Sequence, residues 1–210
     1  MVCPLCLSAG ATALASVYTR RYFDCPVCGL IFMDPSDHPD PGVARTHYLT
    51  HENDPADTGY RGLLSRLVDP MIERLAPGSE GLDFGSGPGP AVSVMIGESG
   101  FPVRNYDPLF LPDAAALSST YSFITCTETA EHFSSPRTEF ERLDTMLRPG
   151  GWLGILTEWF DRQEFAKWRY ARDPTHLVFY RRDTMEWIGR RWNWQSEFPA
   201  PNVTLFGKKG

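Results

Sequence analysis

The pattern of apolar and polar positions along the chain predicts alternating strands and helices. Short apolar runs typical of buried strands occupy residues 81–84, 103–106, 121–127 and 153–157. Apolar residues recur at helical spacing in segments 60–75, 136–147 and 183–191. Two further runs near the C-terminus, 195–198 and 203–206, are separated by prolines and favour an antiparallel strand pair. The order indicates an α/β domain built on a mostly parallel sheet.

A glycine-rich turn follows the first of these strands. Gly85, Gly87 and Gly89 stand at every second position, and a helix is predicted directly after them. Glycine tolerates positive φ and lets a ligand approach bare backbone, while the free N–H groups of a helix N-terminus can face that ligand. A dinucleotide-binding turn would have glycine where this chain has Pro90. A glycine turn alone is weak evidence, but the strand at 103–106 and the acid Asp107 complete a unit typical of a nucleotide-type site.

These motifs resemble those of class I S-adenosylmethionine (SAM) dependent methyltransferases. The Gly-x-Gly-x-Gly turn after Asp83 is similar to the first motif of that family, and Asp107 matches the acid that accepts the ribose hydroxyls. Two more blocks carry the resemblance: Glu128-Thr129-Ala130-Glu131-His132, and residues 147–157 with their Pro-Gly-Gly turn. The resemblance covers roughly residues 60–210 and is strongest to the branch that includes quinone and sugar methyltransferases. It implies SAM as cofactor and a cofactor site formed by Asp83, Gly85, Ser86, Gly87, Gly89, Asp107, Thr127 and Glu128.

The resemblance also implies the fold, with one departure. We expect a Rossmann-like, doubly wound, mostly parallel sheet that ends in an antiparallel C-terminal strand pair. Between Asp107 and the strand at 121–127 the chain is too short for the family's usual helix and third strand. The third strand is therefore predicted to be short or missing, and backbone or apolar groups around residues 109–111 would contact adenine instead.

Candidate catalytic residues follow from the same resemblance. A methyl acceptor that carries a proton needs a general base, and His176, His132 and Glu128 are the candidates, with Glu131 beside them. Each has a structural alternative. Glu128 could bind the amino group of SAM, Glu131 and His132 could cap a helix or bond across their loop, and His176 could be a packed loop residue.

Four cysteines near the N-terminus form two Cys-x-x-Cys pairs. Cys3, Cys6, Cys25 and Cys28 have the spacing of a tetrahedral zinc site, and the β-forming residues between the pairs suit the hairpin of a zinc ribbon. Disulfides or redox thiols are the alternatives, and a reducing compartment disfavours the former. We predict a zinc ribbon over residues 1–33. Cys126 lies within a predicted strand and is interpreted as a small buried side chain.

Two segments between the motifs have no regular pattern. Residues 34–59 are rich in proline and acid and are predicted to be a linker, with a lid containing His47, Tyr48 and His51 as a second role. Residues 60–210 would form the methyltransferase domain. Within it, residues 158–182 interleave aromatic side chains with arginines. These aromatic residues either wall an acceptor site or form the core beneath a long loop.

Composition and charge narrow the choice of partner. The chain has 210 residues, 42% of them hydrophobic, and a formal charge of −6, with the basic residues concentrated after residue 150. No run is long and apolar enough for a membrane span, so we expect a cytoplasmic protein with no membrane partner. A small methyl acceptor is favoured over nucleic acid because the chain is acidic overall. An RNA methyltransferase with a zinc ribbon, and a module that binds SAM without catalysis, remain alternatives. The oligomeric state is left open.

Overall fold

A computed structural model describes residues 1–49, 54–161 and 164–210 of the chain. The described strands, in chain order, are β1 (Thr12–Val17), β2 (Arg20–Asp24), β3 (Ile31–Met33), β4 (Gly81–Phe84), β5 (Val103–Tyr106), β6 (Tyr121–Thr127), β7 (Leu147–Leu156), β8 (Val178–Phe179), β9 (Trp194–Glu197) and β10 (Val203–Lys208). The α-helices are α1 (Pro41–Tyr48), α2 (Thr58–Ile72), α3 (Ala91–Glu98), α4 (Ala114–Leu117), α5 (Pro136–Met146) and α6 (Arg182–Trp192).

The larger sheet has six strands in the order β5-β4-β6-β7-β10-β9. The first four are parallel, and β10 runs antiparallel to both β7 and β9. This is the mixed, Rossmann-like sheet that the sequence predicts. The third strand is missing as expected, because residues 108–120 contain only the four-residue α4 and a bridge between Asp107 and Leu111.

Helices cover both faces of this sheet. On one face, Leu64, Leu67 and Met71 of α2 pack in one cluster with Ile96 of α3 and Leu205 of β10. On the other face, α5 and α6 pack in a second cluster that includes Phe206. Leu205 and Phe206 point to opposite faces because side chains alternate along a strand. The arrangement confirms a doubly wound α/β fold.

A second sheet ties the N-terminal segment to the C-terminal half of the chain. It has the order β1-β2-β3-β8, and the β1–β2 hairpin is the one that the cysteine spacing predicts. β3 pairs antiparallel with β8 through Ile31 with Phe179 and Phe32 with Val178. Cys3 and Cys28 belong to the same buried cluster as Phe140 of α5. The N-terminal segment therefore shares a sheet and a core with the rest of the chain.

Residues 34–49 are partly helical. A short 3₁₀ turn at Pro35–Asp37 leads into α1, whose N-cap Asp40 accepts a hydrogen bond from the Gly42 N–H. His47 and Tyr48 lie at the end of α1, and His51 falls outside the described residues. The domain limits predicted at residues 33 and 59 stay predictions. Within the described part of the chain, no helix is both long and apolar enough to cross a bilayer.

Candidate active site

A cavity of about 450 Å³ opens at the carboxyl ends of β4, β5 and β6. This is where open α/β sheets bind their ligands, and the volume lies within the usual range for small-molecule sites, about 300–1,000 Å³. Most of the predicted site residues line it: Gly85, Gly87, Asp107, Thr127, Glu128, His132 and His176. Asp83, Ser86 and Gly89 are not among its lining residues. The structure thus brings the three catalytic candidates and the remaining cofactor candidates around one space.

The glycine turn forms one wall of the cavity and needs glycine for steric reasons. Gly85 has a φ of +82°, and a Cβ added there would lie 2.2 Å from Cγ2 of Thr129. The Gly85 N–H donates to the carbonyl of Tyr106 at 2.8 Å, and Thr129 Oγ1 donates to the carbonyl of Gly85 at 3.1 Å. The turn is therefore fixed against both β5 and the loop after β6.

Asp107 joins the glycine turn to the loop after β5. Its Oδ2 accepts a hydrogen bond from the Gly87 N–H at 3.1 Å. Its Oδ1 accepts from the N–H groups of Leu109 and Phe110 at 2.8 and 3.0 Å. A carboxylate offers about four acceptor positions, so one position, on Oδ2, remains for a ligand hydroxyl.

The loop after β5 occupies the place of the missing third strand. Pro108, Leu109 and Phe110 line the cavity, and the guanidinium of Arg45 lies 5.8 Å from the centre of the Phe110 ring. These apolar side chains stand where the sequence predicts adenine contacts from residues 109–111. The adenine contact itself remains a prediction.

Part of the cavity wall consists of aromatic residues that the sequence analysis did not identify. Phe84 and Tyr106 are the last residues of β4 and β5, and their ring centres lie 5.3 Å apart. Phe133 packs edge-on against Phe84 at 6.2 Å, and Tyr60 of α2 also lines the cavity. Phe84 and Tyr106 could have been predicted from their positions in the sequence, because the last residue of a parallel strand lies beside the edge of the sheet where ligands bind.

Asp83 lies beneath the turn and is 3% exposed. Thr125 Oγ1 donates to its Oδ1 at 2.8 Å. Burial raises the pKa of Asp83 to about 7, and the nearby charge of Asp107 acts in the same direction. With a pKa near neutral pH, the buried side chain of Asp83 is protonated in part of the molecules, and it lies under the turn as a structural residue.

The raised pKa predicts how stability depends on pH. The unfolded chain loses the Asp83 proton near pH 4, whereas the folded chain holds it until about pH 7, so folding weakens as pH rises through that window. Asp83→Asn keeps the acceptor for Thr125 and removes this titration. Between pH 5 and pH 8, the wild type should lose about 2–3 kcal/mol of unfolding free energy relative to the variant, measured by urea denaturation without SAM. A constant difference across that range would contradict the prediction.

Glu128 directly follows β6 and adopts a φ of +47°, which is unusual for a residue with a side chain. Its backbone N–H donates to the carbonyl of Leu156 at 2.8 Å, which holds it in this conformation. Burial, followed by the charge of Glu131, raises the pKa of Glu128 to about 9. The environment of Glu128 in the ligand-free protein therefore favours its neutral form. Strained residues are common at functional sites.

Glu131 is completely buried and anchored by two hydroxyl groups. Thr157 Oγ1 donates to its Oε2 at 2.8 Å, and the Tyr170 hydroxyl donates to its Oε1 at 2.5 Å. The same hydroxyl lies 3.3 Å from Oε2 of Glu128. Tyr170 thus links the two acids of the loop after β6.

His132 and His176 both line the cavity and pack edge-on against each other, with ring centres 4.9 Å apart. Nδ1 of His132 lies 2.8 Å from the carbonyl oxygen of Thr175, and Nδ1 of His176 lies 2.8 Å from that of Tyr170. Because a carbonyl only accepts, each Nδ1 carries a proton, and a ring in this tautomer has its lone pair on Nε2 when it is neutral. Burial lowers the pKa of His176, which favours its neutral form.

The aromatic residues of the 158–182 segment form core rather than a cavity wall. Trp168, Phe179 and Tyr180 are at most 3% exposed, and Tyr22 of β2 packs against Phe179 at 5.8 Å between ring centres. Among the aromatic candidates in the described part of this segment, His176 lines the cavity. The core alternative of the sequence analysis therefore applies to these side chains.

Cys3, Cys6, Cys25 and Cys28 form a second cluster, with all four sulfur atoms within 4.8 Å of one another. The Sγ atoms of Cys3 and Cys28 are 3.6 Å apart, and those of Cys6 and Cys25 are 3.5 Å apart. Zn–S bonds of about 2.3 Å in a tetrahedron place sulfur atoms roughly 3.8 Å apart. Cys126 lies apart from this cluster and is buried in β6 as predicted.

Comparisons with known proteins agree with the fold. A family model described as a methyltransferase domain matches residues 31–197, and no curated protein sequence matches the chain significantly. A solved structure of 1,6-didemethyltoxoflavin-N1-methyltransferase from Burkholderia thailandensis, with its didemethyltoxoflavin and S-adenosylhomocysteine bound, is 15% identical with a TM-score of 0.58, covering 95% of this chain and 100% of that one.

Two other solved structures show the same fold. DesVI of Streptomyces venezuelae is 14% identical with a TM-score of 0.53, covering 80% of this chain and 98% of that one. The mitomycin 7-O-methyltransferase MmcR is 11% identical with a TM-score of 0.55, covering 83% of this chain and 59% of that one.

Proposed function

The chain belongs to the class I SAM-dependent methyltransferase family, and we propose that it methylates a small molecule bound in the cavity between the glycine turn and the His132–His176 pair. The main observation in support of this proposal is that the predicted cofactor-binding residues and the two histidines line the same cavity. Gly85, Gly87 and Asp107 line one side, and the imidazoles line the other.

The residues present fit SAM on three observations. The buried Oγ1 of Thr127 has no hydrogen-bond partner among the described residues, although Thr127 lines the cavity. Asp107 keeps one acceptor position for a hydroxyl, and Gly87, at a φ of +61°, leaves its backbone bare. When bound, SAM supplies an electrophilic methyl group on a sulfonium. Thr127, Asp107 and Gly87 would hold it, with the apolar loop at 108–110 beside its base.

The acceptor would lie on the imidazole side. The Nδ1 atoms of both rings are bonded to carbonyls, which leaves the Nε2 atoms for a ligand, although that of His176 also lies 3.8 Å from Oδ2 of Asp173. The raised pKa of Glu128 favours the neutral acid, which can donate a hydrogen bond. The chain's own contribution is positioning and removal of water from the reacting atoms, together with activation of the acceptor by groups in this corner. His132, His176 and Glu128 are therefore the residues whose loss should impair transfer more than SAM binding.

A small acceptor is better supported than RNA. The toxoflavin enzyme, which shares the fold, was solved with its small heterocyclic acceptor bound. The two basic residues of the N-terminal segment are engaged within the chain. Arg20 donates to the carbonyls of Arg172 and Asp173 at 2.8 Å, and Arg21 pairs with Asp37. An RNA-binding ribbon would need such cations for phosphates.

We also propose that the four N-terminal cysteines hold one zinc ion. The sulfur separations described above match a tetrahedral site to within about 0.3 Å. Bound zinc would link the two ends of the β1–β2 hairpin. Cysteine clusters that bind zinc rather than form disulfides are typical of a reducing compartment, which supports a cytoplasmic location for the enzyme.

The test of the proposed function is SAM binding together with product formation. Gly87→Val should abolish SAM binding in calorimetry, because a branched side chain at positive φ is strained and fills the bare backbone of the turn. The wild type should bind SAM and release S-adenosylhomocysteine when offered members of a panel of hydroxylated or heterocyclic small molecules.

Gly97→Ala is the matched control. Gly97 lies in α3, and a Cβ there would meet no atom within 4 Å, so SAM affinity should be unchanged. Wild-type protein that binds no SAM, or a Gly87→Val variant that binds it normally, would refute the proposed cofactor site.

A further inference from the structure

The corner of the cavity formed by Glu131, His132 and His176 has the arrangement of a metal site. One oxygen or nitrogen atom from each of these residues lies within 4.8 Å of the others. Two imidazoles and one carboxylate form a common donor set for divalent first-row transition metals. All three residues also line the cavity, so a cation there would be accessible to a bound acceptor.

The histidines are already oriented as metal ligands. Metal-binding histidines almost always donate their second ring N–H to a carbonyl or carboxylate, which fixes the ring and its tautomer. Both rings do so here, since the Nδ1 atoms of His132 and His176 donate to the carbonyls of Thr175 and Tyr170 at 2.8 Å. Nε2 is therefore the ligand position left on each ring, and Nε2 of His176 also lies 3.8 Å from Oδ2 of Asp173, whose negative charge would favour a cation there.

Glu131 is a buried acidic side chain at which a cation would be stabilised. It is 0% exposed, and hydroxyl groups donate to both of its oxygens. Among the described residues, no lysine or arginine lies within ion-pair distance of it, and Nε2 of His132 is 4.0 Å away. A buried carboxylate without a cation is costly, and a bound metal ion would remove that cost.

A metal ion would require the three groups to move closer together. Metal–ligand bonds of about 2.1 Å in a tetrahedron place donor atoms roughly 3.4 Å apart. The Glu131 Oε1 to His132 Nε2 distance of 4.0 Å exceeds this by about 0.6 Å. The ligand atoms all lie within 4.8 Å of one another, so no pair needs to close by more than about 1.4 Å.

We propose that Glu131, His132 and His176 bind one divalent transition-metal ion, and that its open coordination position takes an oxygen atom of the methyl acceptor. The cation would hold the acceptor oxygen and lower the pKa of its hydroxyl, which would release its proton to solvent water; the oxygen would then bond to the methyl carbon as the carbon–sulfonium bond breaks. This narrows the substrate class to molecules with a hydroxyl group. The substrate part rests on the proposed methyl transfer, whereas metal binding itself does not.

The probe for the site is Mn²⁺, which binds thiolates weakly and is therefore blind to the cysteine cluster. Protein holding one equivalent of zinc is titrated with Mn²⁺, and free Mn²⁺ is followed by electron paramagnetic resonance. We expect one Mn²⁺ per chain, with affinity lowered more than about 100-fold in His176→Ala and Glu131→Gln, because each removes a direct ligand. His38→Ala, a histidine outside the cavity, should bind Mn²⁺ like the wild type.

Folding of each variant is checked by melting temperature and by SAM calorimetry. A variant that keeps both and loses Mn²⁺ supports the site, and if Glu131→Gln is unfolded, His132→Ala serves in its place. Absence of Mn²⁺ binding by the wild type, or equal binding by folded variants, overturns it. Methyl transfer that continues in a strong chelator would overturn the role in acceptor binding while leaving the proposed function intact. If the wild type binds Mn²⁺ but not SAM, the proposed function is refuted and the metal site is not.

Discussion

Cys28→Ser is expected to remove zinc and, with it, methyl transfer, although the cysteine cluster lies outside the cavity. Cys28 is 3% exposed and belongs to the core that contains α5 and β8. Binding free energies of structural zinc sites are large, about 10–16 kcal/mol in small zinc domains, and contribute directly to folding. A loss of even several kcal/mol should lower the melting temperature by more than about 10 °C in a chain of this size.

The path from the cysteines to the corner formed by Glu131, His132 and His176 is short. The N–H of Met33, in β3, donates to the carbonyl of Leu177 at 2.8 Å. The N–H of Leu177 donates to the carbonyl of Glu131, also at 2.8 Å. Loosening β3 therefore releases the backbone that positions both Glu131 and the neighbouring His176.

A second set of contacts ties the hairpin to the same segment. Arg181 donates from both terminal nitrogens to the carboxylate of Asp24, at 2.8 and 2.7 Å, and also donates to the carbonyl of Gly29. Arg20 donates hydrogen bonds to the carbonyls of residues 172 and 173. We therefore expect one cooperative unfolding transition rather than separate melting of residues 1–33.

The measurements are zinc content, melting temperature and methyl transfer. Cys126→Ala is the matched control, since Cys126 is a buried cysteine outside the cluster and its loss should leave one zinc per chain. In Cys28→Ser, transfer should fall more than about 100-fold while residual SAM binding, built on the glycine turn, is less affected. A variant that loses zinc but keeps transfer would show that the ribbon is independent of the site.

Local features of the site could be predicted from the sequence. The glycine turn, the acid at residue 107 and the strand at Tyr121–Thr127 are set by neighbouring residues, through positive φ and apolar spacing. The missing third strand followed from chain length alone, because residues 108–120 cannot hold both a helix and a strand.

The remaining features depend on contacts between distant parts of the chain. Ile31 pairs with Phe179, and nothing in either segment specifies the other as its partner. The same pairing turns Phe179 into core, which the composition of its segment could not distinguish from a cavity wall. The tautomer of His132 is also set by the carbonyl of Thr175, which lies some 40 residues away in the sequence. Such pairing is decided by tertiary packing and is invisible to periodicity.

Asp107→Asn is expected to weaken SAM binding about 10- to 150-fold, equivalent to about 1.5–3 kcal/mol for hydrogen bonds to a charged acceptor. The asparagine oxygen can still accept from the N–H groups of Leu109 and Phe110. Its NH₂ group, however, would face the Gly87 N–H, so two donors oppose each other where Oδ2 now accepts. The variant therefore disturbs the glycine turn and removes the remaining acceptor position, with little effect on the loop after β5.

Comparison with Asp107→Ala separates the cofactor role from the structural one. Alanine removes all three accepted hydrogen bonds, so both melting temperature and SAM affinity should fall, whereas in Asp107→Asn the affinity should fall with a smaller loss of stability. Asp113→Asn is the control for charge, because Asp113 caps α4 and pairs with Arg104 outside the lining of the cavity. If calorimetry finds wild-type SAM affinity in Asp107→Asn, the free acceptor position on Oδ2 does not bind SAM. Asp107 would then only hold the loop after β5 in place.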